Sequence, residues 1–148
     1  MRARTLGLLA VTLLIGWGCA GEGTGLDPFG NPLDPGGGGP PPLAPTLTAI
    51  QANVFTAICI QCHTGAASPL GLALDEGVSR DNLVGVASVE LPAVLRVDPG
   101  NPDDSYIVWK IEGRAGIAGA RMPLGLPPLT TEQIDAIRGW IQAGAPDN

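Results

Sequence analysis

An all-α domain of about three main helices joined by long irregular loops is the fold that residues 46–148 predict. Two observations carry this reading. Apolar residues recur at helical spacing in three places, each bounded by capping residues, and the stretches between them are rich in Gly and Pro. The first helix opens with Thr48 and Gln51 in a capping-box pattern, then carries Ile50, Val54, Ala57 and Ile58. The second opens at Asn101-Pro102-Asp103-Asp104, which supplies an N-cap, a first-turn proline and two acids. It runs through Tyr106, Ile107, Lys110 and Ile111 and stops near Gly113. The third opens with Thr130 and Gln133, carries Ile134, Ile137 and Ile141 beside Trp140, and closes at Gly144 and Pro146. Gly65 to Gly100 reads as irregular loops, with a short helix from about Arg80 to Val84 and a small two-stranded element around Val86 to Val97.

The chemistry is concentrated in Cys59-Ile60-Gln61-Cys62-His63, a C-x-x-C-H pattern of the kind that attaches c-type haem. Two thiols separated by two residues can reach neighbouring vinyl groups of one porphyrin and form thioethers. The adjacent imidazole of His63 is then placed to bind the iron. A structural zinc site normally takes four protein ligands. Here the only cysteine outside the motif is Cys19, and His63 is the only histidine. A thioredoxin-like dithiol would call for a strand-to-helix setting, which does not surround Cys59.

Elimination narrows the position opposite His63. His, Met, Cys and Tyr are the usual side chains there. With Cys59 and Cys62 used as anchors and Met1 lost with a leader, Met122 is the remaining methionine. It sits in Arg121-Met122-Pro123, where the proline restrains the backbone to extended or turn geometry. An open site, Lys110 or Tyr106 remain alternatives, as does a Met122 that only fills a gap in the core. Arg121 could pair with a haem propionate or lie solvated at the surface. Trp109 and Trp140 read as core or interface residues.

The amino terminus divides into two further parts. Residues 1–18 read as a signal peptide: Arg2 and Arg4 precede an uncharged, largely apolar run from Leu6 to Trp17 that is too short for a secure membrane span. Residues 19–45 read as a flexible linker containing Gly36 through Gly39 and Pro40 through Pro42. As a coil it would span about 28 Å root-mean-square, and roughly 80 Å if pulled straight. The formal charge of −6 makes nucleic acid and anionic lipid surfaces poor partners.

Several of these segments carry a resemblance. The haem motif at the end of a helix, the later Arg121-Met122-Pro123 loop, and the last helix from Leu129-Thr130-Thr131-Glu132-Gln133-Ile134 to Trp140-Ile141 together look like a class I cytochrome c domain. Asp98-Pro99-Gly100-Asn101-Pro102-Asp103-Asp104-Ser105-Tyr106 and Trp140-Ile141-Gln142-Ala143-Gly144-Ala145 resemble, more narrowly, monohaem domains of secreted planctomycete and myxobacterial proteins. The resemblance implies one covalent haem c, Cys59 and Cys62 as its anchors, His63 as proximal ligand and Met122 as distal ligand. The stretch between the haem motif and Met122 is longer and more irregular than in compact members. Ile15-Gly16-Trp17-Gly18-Cys19 resembles a bacterial lipoprotein processing site, implying a lipid anchor at Cys19, and Ala20 in place of Asp implies the outer membrane. A protein of this kind would be extracytoplasmic and would pass electrons between redox protein partners rather than act as an enzyme. The alternatives are a haem enzyme or gas sensor with an open distal site, and an interaction protein whose haem is mainly structural.

Overall fold

In the computed structural model, residues 41–148 are described. The proposed signal peptide, Cys19 and the linker up to Pro40 lie outside these residues. The described part is helical, as the all-α reading expects. Helix α1 spans Leu47–Ile50 and continues without interruption as a π-helical turn, Gln51–Phe55. A 3-10 turn, Cys59–Gln61, carries the start of the motif, and another follows at Pro69–Gly71. Helix α2 spans Ser79–Leu83, and after the 3-10 turn Pro102–Asp104 come α3, Tyr106–Glu112, and α4, Thr131–Gln142. Among the described residues no helix is long and apolar enough to cross a membrane.

The start of α1 departs from the predicted capping box. Thr46 is the N-cap, its hydroxyl accepting from the Ala49 N–H at 3.3 Å. The far end of the chain supplies the other acceptors: Leu47 N–H donates to Asn148 Oδ1 (2.9 Å) and Thr48 N–H to the Asn148 carbonyl (2.8 Å). Thr48 is thereby released from capping, and Gln51 is buried and bonded elsewhere. A capping box read from local spacing alone cannot anticipate partners supplied from the other end of a chain.

The second helix begins later than Asn101 predicts. Ser105 is fully buried in an extended conformation between the 3-10 turn and α3. Its hydroxyl accepts from Asp98 N–H (2.9 Å) and donates to the Asn101 carbonyl (2.9 Å), a local competition with the helical backbone that ends the first turn. The N–H groups of Tyr106 and Ile107 donate to the carbonyls of Leu95 (2.9 Å) and Arg96 (3.0 Å), so the loop before α3 satisfies its orphan donors. The predicted stop holds: Gly113 adopts the left-handed conformation (φ 72°) and donates to the Trp109 carbonyl. The capping box of α4 also forms as predicted, with Thr130 and Gln133 bonding reciprocally at 3.0 and 3.2 Å. Around Val86 to Val97 two isolated bridges, Val84 with Val97 and Ala87 with Leu95, replace the expected two-stranded element.

Ile50 and Val54 from α1 and its π-turn, Val108 and Ile111 from α3, and Ile137, Trp140 and Ile141 from α4 meet in one core with Phe55, Leu83 and Val97. Trp140 is wholly buried, and its indole N–H donates to the Pro146 carbonyl at 2.8 Å. Outside the core, Arg114 and Arg138 converge on Asp103 and Glu112, tying the 3-10 turn and α3 to α4. The two guanidinium hydrogen bonds, from Arg138 first and Arg114 second, hold the Asp103 carboxyl below its usual range.

Leu43 and Pro45, expected within the linker, pack on the domain. Leu43 N–H donates to Glu132 Oε1 at 2.7 Å, and a Cβ added at Gly139 would lie 2.9 Å from Pro45 Cβ. Alanine at Gly139 would gain about 1 kcal/mol in helix propensity. The overlap with the proline ring should outweigh that gain, so Gly139→Ala is expected to lower stability by about 1–3 kcal/mol, measured by urea unfolding.

Candidate cofactor site

The motif follows directly from the first helix. Ile58 N–H still makes a helical bond to the Val54 carbonyl (2.9 Å), after which the backbone tightens and Cys59 O accepts from both Cys62 N–H (3.2 Å) and His63 N–H (2.9 Å). This compact turn presents both thiols and the imidazole to one side. A cavity of about 330 Å³ lies there, and Cys59, Cys62, His63 and Met122 all line it. The volume falls at the small end of cofactor and ligand sites, about 300–1,000 Å³.

His63 is oriented by its other ring nitrogen. Nδ1 lies 3.0 Å from the Leu72 carbonyl oxygen, which can only accept, so the proton resides on Nδ1 and the Nε2 lone pair is free to bind a metal. The segment that supplies this carbonyl is fixed in turn. Leu74 N–H donates to the His63 carbonyl (2.8 Å), and the buried Gln51 donates from Nε2 to the Leu74 carbonyl (2.9 Å) while accepting from Ser79 Oγ (2.7 Å). On the other side of the motif, the Asp75 carboxylate accepts from the Thr64 hydroxyl and from Gly65 N–H (2.8 Å). The Thr64 bond first and the Gly65 bond second keep its carboxyl below the ordinary value.

Met122 reaches the cavity from the loop after α3, its N–H donating to the Lys110 carbonyl at 2.8 Å. The alternative ligands Lys110 and Tyr106 also line the cavity, but their polar ends are engaged. Lys110 Nζ pairs with Glu90 (3.0 Å) and donates to the Ala118 carbonyl (2.7 Å); Tyr106 Oη donates to Glu90 (2.9 Å) and accepts from Ala118 N–H (3.0 Å). Arg121 does not line the cavity. It is exposed, with its methylenes packed over Gly113. Trp109 and Trp140 are likewise absent from the wall.

No family model, curated protein or solved structure matches this chain. The chemistry of the site therefore rests on its own residues.

These residues suit a large, flat, mainly apolar group. Phe55, Leu74, Leu83, Leu129 and Ile137 form the inner wall, while Leu70, Val89, Leu124 and Leu126 stand around the opening with 40–66% of their surface exposed. Exposed apolar side chains clustered at a cavity mouth mark a surface meant to be covered. The thiols do not suit a nucleophilic dithiol, because burial raises the Cys59 pKa to about 11 whereas reactive C-x-x-C cysteines have lowered values. Nor do the described residues bring together three or more His, Cys, Asp or Glu side chains that could hold a metal ion. Sequence reasoning missed Leu72, Glu90 and Arg96. The first acts through its backbone, and the other two lie in the stretch without helical periodicity.

In the haem-free protein near neutral pH, iodoacetamide should modify the exposed Cys62 well before Cys59. Mass spectrometry of timed digests would show modification of Cys59 accelerating only as the pH approaches about 11.

Proposed function

We propose that this domain carries one covalently attached haem c and serves in electron transfer between redox protein partners outside the cytoplasm. The observation that carries the proposal is the convergence of Cys59, Cys62, His63 and Met122 on one apolar cavity, with the His63 tautomer set for metal binding by Leu72. When bound, a haem supplies the one-electron ferric–ferrous couple.

The residues divide the remaining work. The thiols of Cys59 and Cys62 would hold the group through two thioether bonds to its vinyl side chains. His63 offers Nε2, and the Nδ1–H···O=C bond to Leu72 fixes the tautomer and the plane of the ring. Met122 offers a thioether from a loop anchored to α3, and a sulfur ligand favours the reduced state relative to a second nitrogen. His63 and Met122 would both be available to hold the metal of such a group, which favours outer-sphere electron transfer over catalysis. Leu70, Val89, Leu124 and Leu126 exclude water around the opening and offer an apolar surface for brief contact with a partner. In the same proposal, Cys19 carries lipid and the following Gly/Pro segment tethers the domain to the outer membrane.

Holoprotein matured in a host with c-type haem assembly should retain its pigment through denaturing electrophoresis, and a Cys59→Ser, Cys62→Ser variant should lose it. Pigment that survives in that double variant, or a wild-type protein without pigment, overturns the proposal. Met122→Ala should let the reduced protein bind carbon monoxide and should lower its potential; unchanged spectra and potential would assign the distal position to another group.

A further inference from the structure

Arg96 is the most deeply buried guanidinium among the described residues, with 9% of its surface exposed, and it lines the cavity. Its backbone is fixed on both sides: the N–H donates to the Val86 carbonyl (2.7 Å), and the carbonyl accepts from Ile107 at the start of α3 (3.0 Å). Its side chain donates only to neutral carbonyls, those of Leu70 (2.7 Å), Asn82 (2.8 Å) and, more weakly, Gly71 (3.5 Å). It makes no ion pair among the described residues, whereas the other cation of the wall, Lys110, is paired with Glu90. The charges of Lys110 and Glu90 cancel, which leaves the wall with one uncompensated positive charge in mainly apolar surroundings. Carbonyl dipoles soften the cost of burying such a charge, but an anion removes most of it.

We propose that Arg96 is the anion-binding group of this cavity and takes one carboxylate of its occupant, which is a haem propionate on the reading given above. Guanidinium suits the task because its planar fork meets a carboxylate through two parallel donors. The position of Arg96 adds a second effect. The carbonyls it holds at Leu70 and Gly71 precede Leu72, whose carbonyl orients His63, so one side chain links the carboxylate at the edge of the occupant to the imidazole at its centre. Arg121, the arginine beside Met122 in sequence, stands outside the cavity and cannot serve.

The test is the midpoint potential of the holoprotein as a function of pH between about 5 and 9, a range in which an unpaired carboxyl in apolar surroundings would titrate. The other titratable side chains of the wall are Glu90, Lys110, Tyr106, His63 and the two cysteines, and all of them are retained in each variant. The wild-type protein should give a flat profile on the acid side. Arg96→Gln should lower the potential and introduce a fall with rising pH as the unpaired propionate ionises. Arg96→Lys, which keeps the charge but loses the fork, should stay close to wild type. Superimposable profiles for wild type and Arg96→Gln overturn the assignment, and so does an equal shift in Arg96→Lys, which would show that only the loss of the carbonyl bonds matters. If Arg96→Gln fails to mature, redox-difference infrared spectra of the wild-type protein decide the matter. Two carboxylic acid bands appearing together near the ordinary carboxyl pKa overturn the proposal; one carboxylate band persisting below it supports the proposal. A wild-type protein that binds no haem overturns both this assignment and the haem reading, whereas the variant outcomes bear on Arg96 alone.

Discussion

The hydrophobic core and the cavity are built from the same side chains. Val54, Phe55, Leu74, Leu83, Ile111, Leu129 and Ile137 each contribute to the buried cluster and each face the open volume. A chain of this size has little apolar surface to spare, and here a share of it is left facing a space that the protein does not fill itself. Occupancy and folding are therefore thermodynamically linked: whatever enters the cavity stabilises the native state in proportion to its preference for that state. A covalently held group would make the linkage permanent, because it cannot be lost by dilution.

A line of polar contacts gives this apolar arrangement its geometry. Ser79 bonds Gln51, Gln51 bonds Leu74, Leu74 bonds His63, and His63 bonds Leu72. Every buried side-chain polar atom among the described residues has a partner, the condition under which a buried network rigidifies rather than weakens its surroundings. Helix α2, which contributes one apolar side chain to the cavity through Leu83, thereby also takes part in fixing the imidazole. Side-chain orientation at the site is thus shared among α1, α2 and the loop between them.

Where the determinants are local, the sequence states them clearly. The Thr130 and Gln133 box, the left-handed Gly113 and the apolar face of α4 all form as their spacing predicts, and the grouping of Cys59, Cys62 and His63 was legible from five consecutive residues. Met122 followed from a count of available ligands, and it does line the same cavity. The misreadings share a cause. Thr48 and Gln51 fit a capping box in sequence, but Asn148 and Leu74, distant along the chain, bind them instead. Asn101 and Pro102 are good helix starters, yet Ser105 finds better partners in Asp98 and Asn101 than a continuous helix offers. Arg96 gave no local signal because its environment is assembled from Leu70, Gly71 and Asn82. Non-local hydrogen bonding is the information that periodicity cannot carry.

The π-turn within the first helix acts as an angular offset. Thr56 N–H reaches back five residues to the Gln51 carbonyl at 2.7 Å, so this turn accommodates one residue more than an α-helical turn would. In a regular helix each residue advances the direction of the side chains by about 100°. The single extra residue therefore sets the azimuth at which Cys59 leaves the helix and meets the cavity. The aim of the motif is in this sense stored as the number of residues in the turn.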